Sequence, residues 1–280
     1  MVILDFLLNV AALLLWLSWR AVRLTAVPAP ARISIVGALK RTEREPARGW
    51  GLLVALVAVL VLRGVLYHHI GAGVHWTAQL GLGVTVLLFR SDFLGQMWIY
   101  SLASFGRTFC LFYLWLGFFS LLHRGVEDPP PTQRFIRSHL GRLDRLPLWG
   151  WVAGPVALGA AAWTLSQPLL RWLRAVPAGG DWLVSTQQGA AIALAALVSW
   201  RYLILAVLAL YLLSSYIYFG ESPFWGFIDA SARRLLRPLR PVPLVLGRID
   251  LAPLVLGLAV WLAGELAGQG LLAWYRRLPL

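Results

Sequence analysis

Charge is what this sequence has least of. Only 13% of its 280 residues are Asp, Glu, Lys or Arg, against about 25% in an ordinary soluble domain. Hydrophobic residues make up 59%, and the mean hydropathy is +0.72. That balance excludes a soluble enzyme and a disordered chain, because too few polar side chains exist to cover a water-facing surface. Cysteine is reduced to Cys110, which rules out an intramolecular disulfide and leaves the compartment unread. No CxxC, HExxH, GxGxxG or GxxxxGK[ST] pattern occurs. Nothing therefore points to a zinc ribbon, a metalloprotease, a dinucleotide or a P-loop, and the chain reads as non-enzymatic.

What is present is a series of apolar runs, at about 3–22, 50–67, 95–122, 148–170, 200–219 and 251–273. A membrane crossing needs around 20 such residues, or 17 at the short end. The expected fold class is all-α: a polytopic helical membrane protein with about six spanning helices plus interfacial amphipathic helices. Two further runs, 76–89 and 183–199, each precede a full-length run and are expected to be interfacial or re-entrant helices. The first run has its positive charges, Arg20 and Arg23, behind it rather than in front. It reads as an uncleaved anchor with its N-terminus outside.

The basic residues fix the expected orientation. Seventeen of the 25 Lys and Arg lie in three loops, 20–49, 123–147 and 220–249. Six crossings place all three loops on one side, and the positive-inside rule makes that side the cytoplasm. The expected location is the bacterial inner membrane. The net charge of +13 is then expected to meet anionic lipids. Nucleic acid is not expected as a partner, and no soluble small-molecule substrate is evident.

Residues 76–177 resemble residues 182–279. The stretch 111–125 matches 209–220, EDPPPTQRFIRSHLGRLDRLP at 127–147 matches ESPFWGFIDASARRLLRPLRP at 221–241, and LLRWLRAVP at 169–177 matches LLAWYRRLP at 271–279. The expected organisation is an N-terminal helical hairpin over 1–70 (an eroded copy), a first repeat over 71–178 and a second over 179–280. Each repeat contains a basic amphipathic segment. In the second, Ile228, Ala232, Leu235 and Leu239 fall on one helical face, with Arg233, Arg234, Arg237 and Arg240 on its flank. In the first, Ile136, Leu140, Leu143 and Leu146 repeat the stripe, with Arg134, Arg137, Arg142 and Arg145 opposite. An arginine-bordered apolar stripe suits a helix lying in the interface, so these eight arginines are the candidate lipid- or partner-binding residues.

Beyond the second segment, Asp250 is placed to cap the last spanning helix, with Pro253 in its first turn. Here the chain resembles the YggT family. The resemblance rests on Ser222-Pro223-Phe224, on Leu236-Arg237-Pro238-Leu239-Arg240-Pro241-Val242-Pro243, and on Gly247 through Pro253. It covers about 205–273. The chain departs from the family pattern at Arg248 and Ala252, and the first repeat lacks the Ile-Asp-Leu-Ala-Pro stop. The family motif positions carried over are Pro223, Gly247, Asp250 and Pro253. The resemblance implies an integral membrane protein without established enzymatic activity. Plastid relatives are associated with assembly of a b-type cytochrome complex, and bacterial ones with osmotic tolerance and envelope or division phenotypes.

His68, His69, His75, His123 and His139 all avoid mid-span positions, so neither haem nor zinc ligation is expected and no cofactor is implied. Charges inside or beside apolar runs are Arg63, Arg90, Asp92, Arg107, Arg201 and Glu265. Such charges are costly in lipid and carry a functional expectation. Arg90, Asp92 and Arg201 are expected at interfacial corners. Glu265 is expected to partner an arginine or to serve as a candidate ion site. The small-residue pairs Gly150/Gly154 and Gly264/Gly268 are expected at helix contacts, and Trp16, Trp19, Trp50, Trp98, Trp149, Trp151 and Trp274 in an aromatic belt. The expected function is a membrane scaffold, assembly factor or accessory subunit with a membrane-protein partner. The alternative is an ion or osmolyte transporter.

Overall fold

A computed structural model describes residues 2–25, 49–73, 76–125, 131–176, 181–217, 220, 222–239, 241–242, 244–246 and 249–278. Most of loop 20–49, His75, the Asp128-Pro129 turn, Arg240, Pro243, Gly247 and Arg248 lie outside them. The protein is an all-α multi-pass membrane protein. Six stretches are long and apolar enough to cross a membrane: Ile3–Arg23, Gly49–Gly71, Leu94–Leu122, Leu148–Trp172, Trp182–Tyr216 and Ala252–Arg276. The chain forms two compact units, one of residues 1–80 and 89–109, the other of 81–88 and 110–280.

Unit 1 pairs α1 (Val2–Thr25) with α2 (Gly49–Gly73). Ala12, Leu56 and Leu60 form their seam, with Leu15, Trp16, Leu53 and Phe105 packed around it. The first part of α3 (Leu94–Leu122) completes the unit. Gly64 on α2 carries no side chain because Trp98 of α3 occupies that space; the Trp98 Cα lies 3.2 Å from where a Cβ would sit. Trp98 is thus a packing residue.

Residues 76–89 correct the expectation of a helix. They form an antiparallel hairpin of β1 (Thr77–Gly81) and β2 (Val86–Arg90). Ala78, Leu80, Leu87 and Phe89 point inward, alternating with exposed positions. That period of two was hidden because the outward positions of β2, Val86 and Leu88, are themselves apolar. Gly83, at φ +88°, makes the turn, a conformation that suits a residue without Cβ. A Cβ there would also lie 2.7 Å from the Ala195 Cβ.

In unit 2, α5 (Leu148–Trp172) and α6 (Trp182–Val198) form an antiparallel pair. Their backbones approach through Gly159 and Gly189: a Cβ on the first would lie 2.6 Å from the Ala193 Cβ, and on the second 2.7 Å from the Ala160 Cα. The Trp163 Nε1–H donates to Gln188 Oε1 (3.2 Å) beside them. Close approach through small residues is how helices pack in lipid, but the glycines used are not Gly150 and Gly154. Run 183–199 also differs from expectation. α6 is not a separate interfacial helix: it continues, through a break at Ser199, into α7 (Trp200–Tyr216) as part of one 35-residue apolar stretch.

Two short amphipathic helices follow the third and fifth candidate spans: α4 (Pro131–Leu140) after α3, and α8 (Pro223–Leu235) after α7. α9 (Ala252–Arg276) ends the fold. The apolar stripes of α4 and α8 pack on protein. Ile136 and Leu140 of α4 and Phe227, Ile228 and Ala232 of α8 share one core with Leu116, Trp151 and Val207. Trp151 is therefore a core residue, seated on Gly117, and not part of a belt. The first stripe also ends early. Gly141, at φ +58°, breaks α4 into a 3₁₀ turn over Gly141–Arg145, which leaves Leu143 47% exposed.

Ser222 caps α8, its Oγ accepting from the Trp225 N–H (3.4 Å), with Pro223 in the first turn. A two-residue ladder of β3 (Val245–Leu246) and β4 (Ile249–Asp250) precedes α9. The Asp250 carboxylate accepts from the Ala252 N–H (2.9 Å), and buried Pro253 follows. The free amides of a helix start need such partners, and the dipole there favours an anion.

Candidate functional site

Three polar assemblies stand out among the apolar helices. The first is inside unit 1. Asp5 of α1 receives Arg63 Nη2 (2.7 Å), Ser104 Oγ (3.1 Å), the Tyr67 hydroxyl (3.3 Å) and Asn9 Nδ2 (3.4 Å). Arg63 Nη1 donates to Asn9 Oδ1 (2.7 Å), and Asn9 Nδ2 also donates to Ser104 (3.0 Å). The Arg63 side chain is fully buried and that of Asp5 is 22% exposed. The guanidinium lies 5.5 Å from the Tyr67 ring centroid and 5.6 Å from that of Tyr100, a cation–π distance. Trp76 packs edge-on against both rings.

Sequence reading had flagged Arg63 but missed Asp5, Asn9 and Ser104. The available signal was spacing. Asp5/Asn9, Arg63/Tyr67 and Tyr100/Ser104 are each polar pairs four residues apart in otherwise apolar runs. Such pairs lie on one helical face. Three helices each bringing one such face can satisfy a buried charge that none could hold alone.

The second assembly lies where α4 and α8 meet the end of α3. The last carbonyls of a helix lack partners within it. Here Arg234 Nη1 donates to Leu122 O (2.7 Å) and Gln133 Nε2 to His123 O (2.8 Å). Arg234 is thus a cap for α3, well suited to the negative end of its dipole. His123 is buried and stacked on Phe227, with ring centroids 4.8 Å apart. Its Nδ1 is 3.2 Å from Phe119 O and its Nε2 3.3 Å from Ser231 Oγ. Burial pushes the His123 imidazole below its ordinary value, and the Arg234 and Arg137 charges add to that; the Phe119 carbonyl opposes it. Asp144 accepts from Ser120 (2.5 Å) and lies 3.8 Å from Arg137. Arg124 donates to the Leu146 carbonyl.

The eight arginines read as a set from sequence therefore divide. Arg234 holds α3, and half-exposed Arg137 is beside Asp144. Arg233 is exposed and pairs with Asp229 one turn away (2.6 Å). Arg134, Arg142, Arg145 and Arg237 are exposed, and Arg240 lies outside the described residues.

The third assembly joins α7 and α9. Arg201 Nη1 donates to Glu265 Oε2 (3.2 Å) and Nη2 to the Tyr202 hydroxyl (2.7 Å). Gln269 Nε2 donates to Glu265 Oε1 (3.3 Å). Gly264 is filled by the stem of Arg201, so that glycine serves the pair. Arg201 is not at an interfacial corner as expected: its partner is the fourteenth of 25 residues in α9.

Arg90, the last residue of β2, and Asp92 form an exposed pair (2.6 Å). Arg107 is exposed on α3. His68 Nδ1 lies 2.7 Å from Ser91 O. Among the described residues, no group of three His, Cys, Asp or Glu could hold a metal.

No protein-family model, curated protein or solved structure matches this chain.

Proposed function

We propose that this protein is a non-catalytic scaffold or assembly factor of the YggT type, or an accessory subunit of a membrane complex. In this reading it sits in the bacterial inner membrane with its basic loops in the cytoplasm. Its α4–α8 platform holds anionic lipid headgroups or an acidic face of a membrane-protein partner. One observation carries the reading. Both amphipathic helices spend their apolar stripes on one shared protein core, which leaves Arg134, Arg142, Arg145 and Arg237 facing outward. Arginine clusters at a membrane surface attract anionic headgroups by charge and by bidentate hydrogen bonds. The repeated order of spanning helix, amphipathic helix, 3₁₀ turn and spanning helix supports the tandem-repeat reading and would present two such arginine sets.

The test reverses the outward arginines only. A chain carrying Arg142→Glu, Arg145→Glu and Arg237→Glu is purified in mild detergent beside the unaltered chain. Native mass spectrometry should show loss of retained anionic lipid, and a tagged pull-down loss of any co-purifying membrane-protein partner, with insertion intact. Unchanged lipid and partner retention overturns the proposal. The transport alternative has less support, because Arg201 already neutralises Glu265. Ion flux in proteoliposomes that falls on Glu265→Ala would reinstate it.

A further inference from the structure

We infer that a second copy of this chain covers the Arg201–Glu265 pair, through an α7–α9 face that pairs with itself across a two-fold axis. The inference is independent of the scaffold reading above.

Glu265 has thirteen residues of α9 before it and eleven after. At 1.5 Å per residue it lies about 20 Å along a helix of about 37 Å. That places it near the middle of a hydrocarbon layer about 30 Å thick. Its side chain is nevertheless 44% exposed and that of Arg201 17%. Tyr202 is 56% exposed, and Gln269 is exposed too. The pair is also incomplete. Arg201 offers Glu265 a single hydrogen bond, and its buried Nε has no partner among the described residues. Exposed polar groups at this depth are expensive unless protein or water covers them.

The surroundings are shaped for a helix. Leu254, Leu258, Leu262, Glu265 and Gln269 lie along one stripe of α9. The three leucines are exposed at 54%, 58% and 47%. Leu258, Glu265 and Leu272 recur at seven-residue spacing, the repeat of helices that pack along one another, where a single polar position fixes register. α9 is also the least enclosed of the six spans.

Charge complementarity selects the occupant. A patch carrying one sign needs a foreign partner of the other sign. This patch carries both, side by side. A two-fold axis sets each patch against its own copy. Arg201 of one chain then meets Glu265 of the other, and the open Nε and the exposed carboxylate complete each other.

The test uses the full chain in lipid nanodiscs and bilayers. Single-molecule photobleaching in dilute bilayers should show dimers. In a Cys110→Ser background, Leu262→Cys should give a disulfide-linked dimer and Leu14→Cys, exposed on α1, should not. A charge-swapped chain (Arg201→Glu with Glu265→Arg) keeps an opposite-charge pair within each copy and between like copies. It should dimerise with itself, yet form mixed dimers with the unaltered chain at least about tenfold below the statistical share, because mixing sets like charges together. Should the swapped chain not fold, Glu265→Gln serves in its place and should weaken dimerisation about tenfold. A monomer in bilayers, mixed dimers at the statistical share, undiminished dimerisation of Glu265→Gln in that fallback case, cross-linking only through α1, or capture of a different protein at position 262 overturns the inference.

Discussion

Asp5–Arg63 and Arg201–Glu265 are the same chemistry in two settings. Each joins a carboxylate and a guanidinium from two candidate spanning helices. In unit 1 the arginine side chain is fully buried and the aspartate accepts from four side chains on three helices. In unit 2 the glutamate keeps 44% of its surface open and accepts from two. Burial of a charge is tolerated when its lone pairs and N–H groups are used. Unit 1 approaches this within one chain, although the Arg63 Nε, like the Arg201 Nε, has no partner among the described residues. The two pairs therefore differ in exposure and in the number of donors to the carboxylate. The contrast separates a pair that helps a fold close from a pair left for something outside the fold to finish.

The largest expected effect breaks the first pair. Arg63→Met or Asp5→Asn should destabilise the protein by about 3–5 kcal/mol, because the surviving group is left buried and unpaired. Thermal unfolding in detergent, followed by circular dichroism, measures it. The double replacement should cost less than the sum of the singles, and strict additivity would sink the network reading. Glu265→Gln sharpens the contrast: in a monomeric detergent preparation it should cost less than about 1 kcal/mol in unfolding, since the half-exposed glutamate accepts one Arg201 hydrogen bond that the glutamine amide oxygen can still accept. An effect equal to that of Asp5→Asn would erase the distinction between the two sites.

Smaller changes probe the support. Ser104→Val removes two hydrogen bonds around Asp5 and should cost about 1–3 kcal/mol. Acidification should divide the units by another route. Burial holds the His123 imidazole below its ordinary value of 6.5, so the unfolded chain takes up a proton first. Stability contributed by neutral His123 is therefore complete above about pH 6.5 and declines as pH falls from there toward the lowered folded value. Hydrogen exchange in α4 and α8 should rise over that interval. His123→Phe should remove this dependence, and its persistence in that variant would clear His123 of the role.

The six spans and the all-α class were legible because each run is long, apolar and continuous, and length alone decides a crossing. The cap at Asp250 was legible because capping is local in sequence. The hairpin at 77–90 was not: two outward residues of β2, Val86 and Leu88, are apolar where a soluble strand would show polar ones. The arginines were legible as a set, but their division was not. What separates Arg234 from Arg237 is the α3 carbonyl that Arg234 reaches, 112 residues away. Asp5 was overlooked for the same kind of reason, since a carboxylate near the start of an apolar run looks terminal until Arg63 is placed beside it.

The order in which these charges leave the ribosome differs as sharply as their burial. Arg63 follows its carboxylate by 58 residues, and it travels in the most apolar of the six spans. Inserting one arginine near the centre of a helix costs about 2.5–3.5 kcal/mol on biological insertion scales, which so apolar a segment can absorb. The partner is already synthesised when Arg63 arrives, so the debt is short-lived. Arg201 precedes its carboxylate by 64 residues. At about 5–20 residues per second, it spends several seconds as an unneutralised cation awaiting the last helix. During biogenesis that interval is when this half of the molecule is most exposed to chaperones, to proteases and to wrong neighbours.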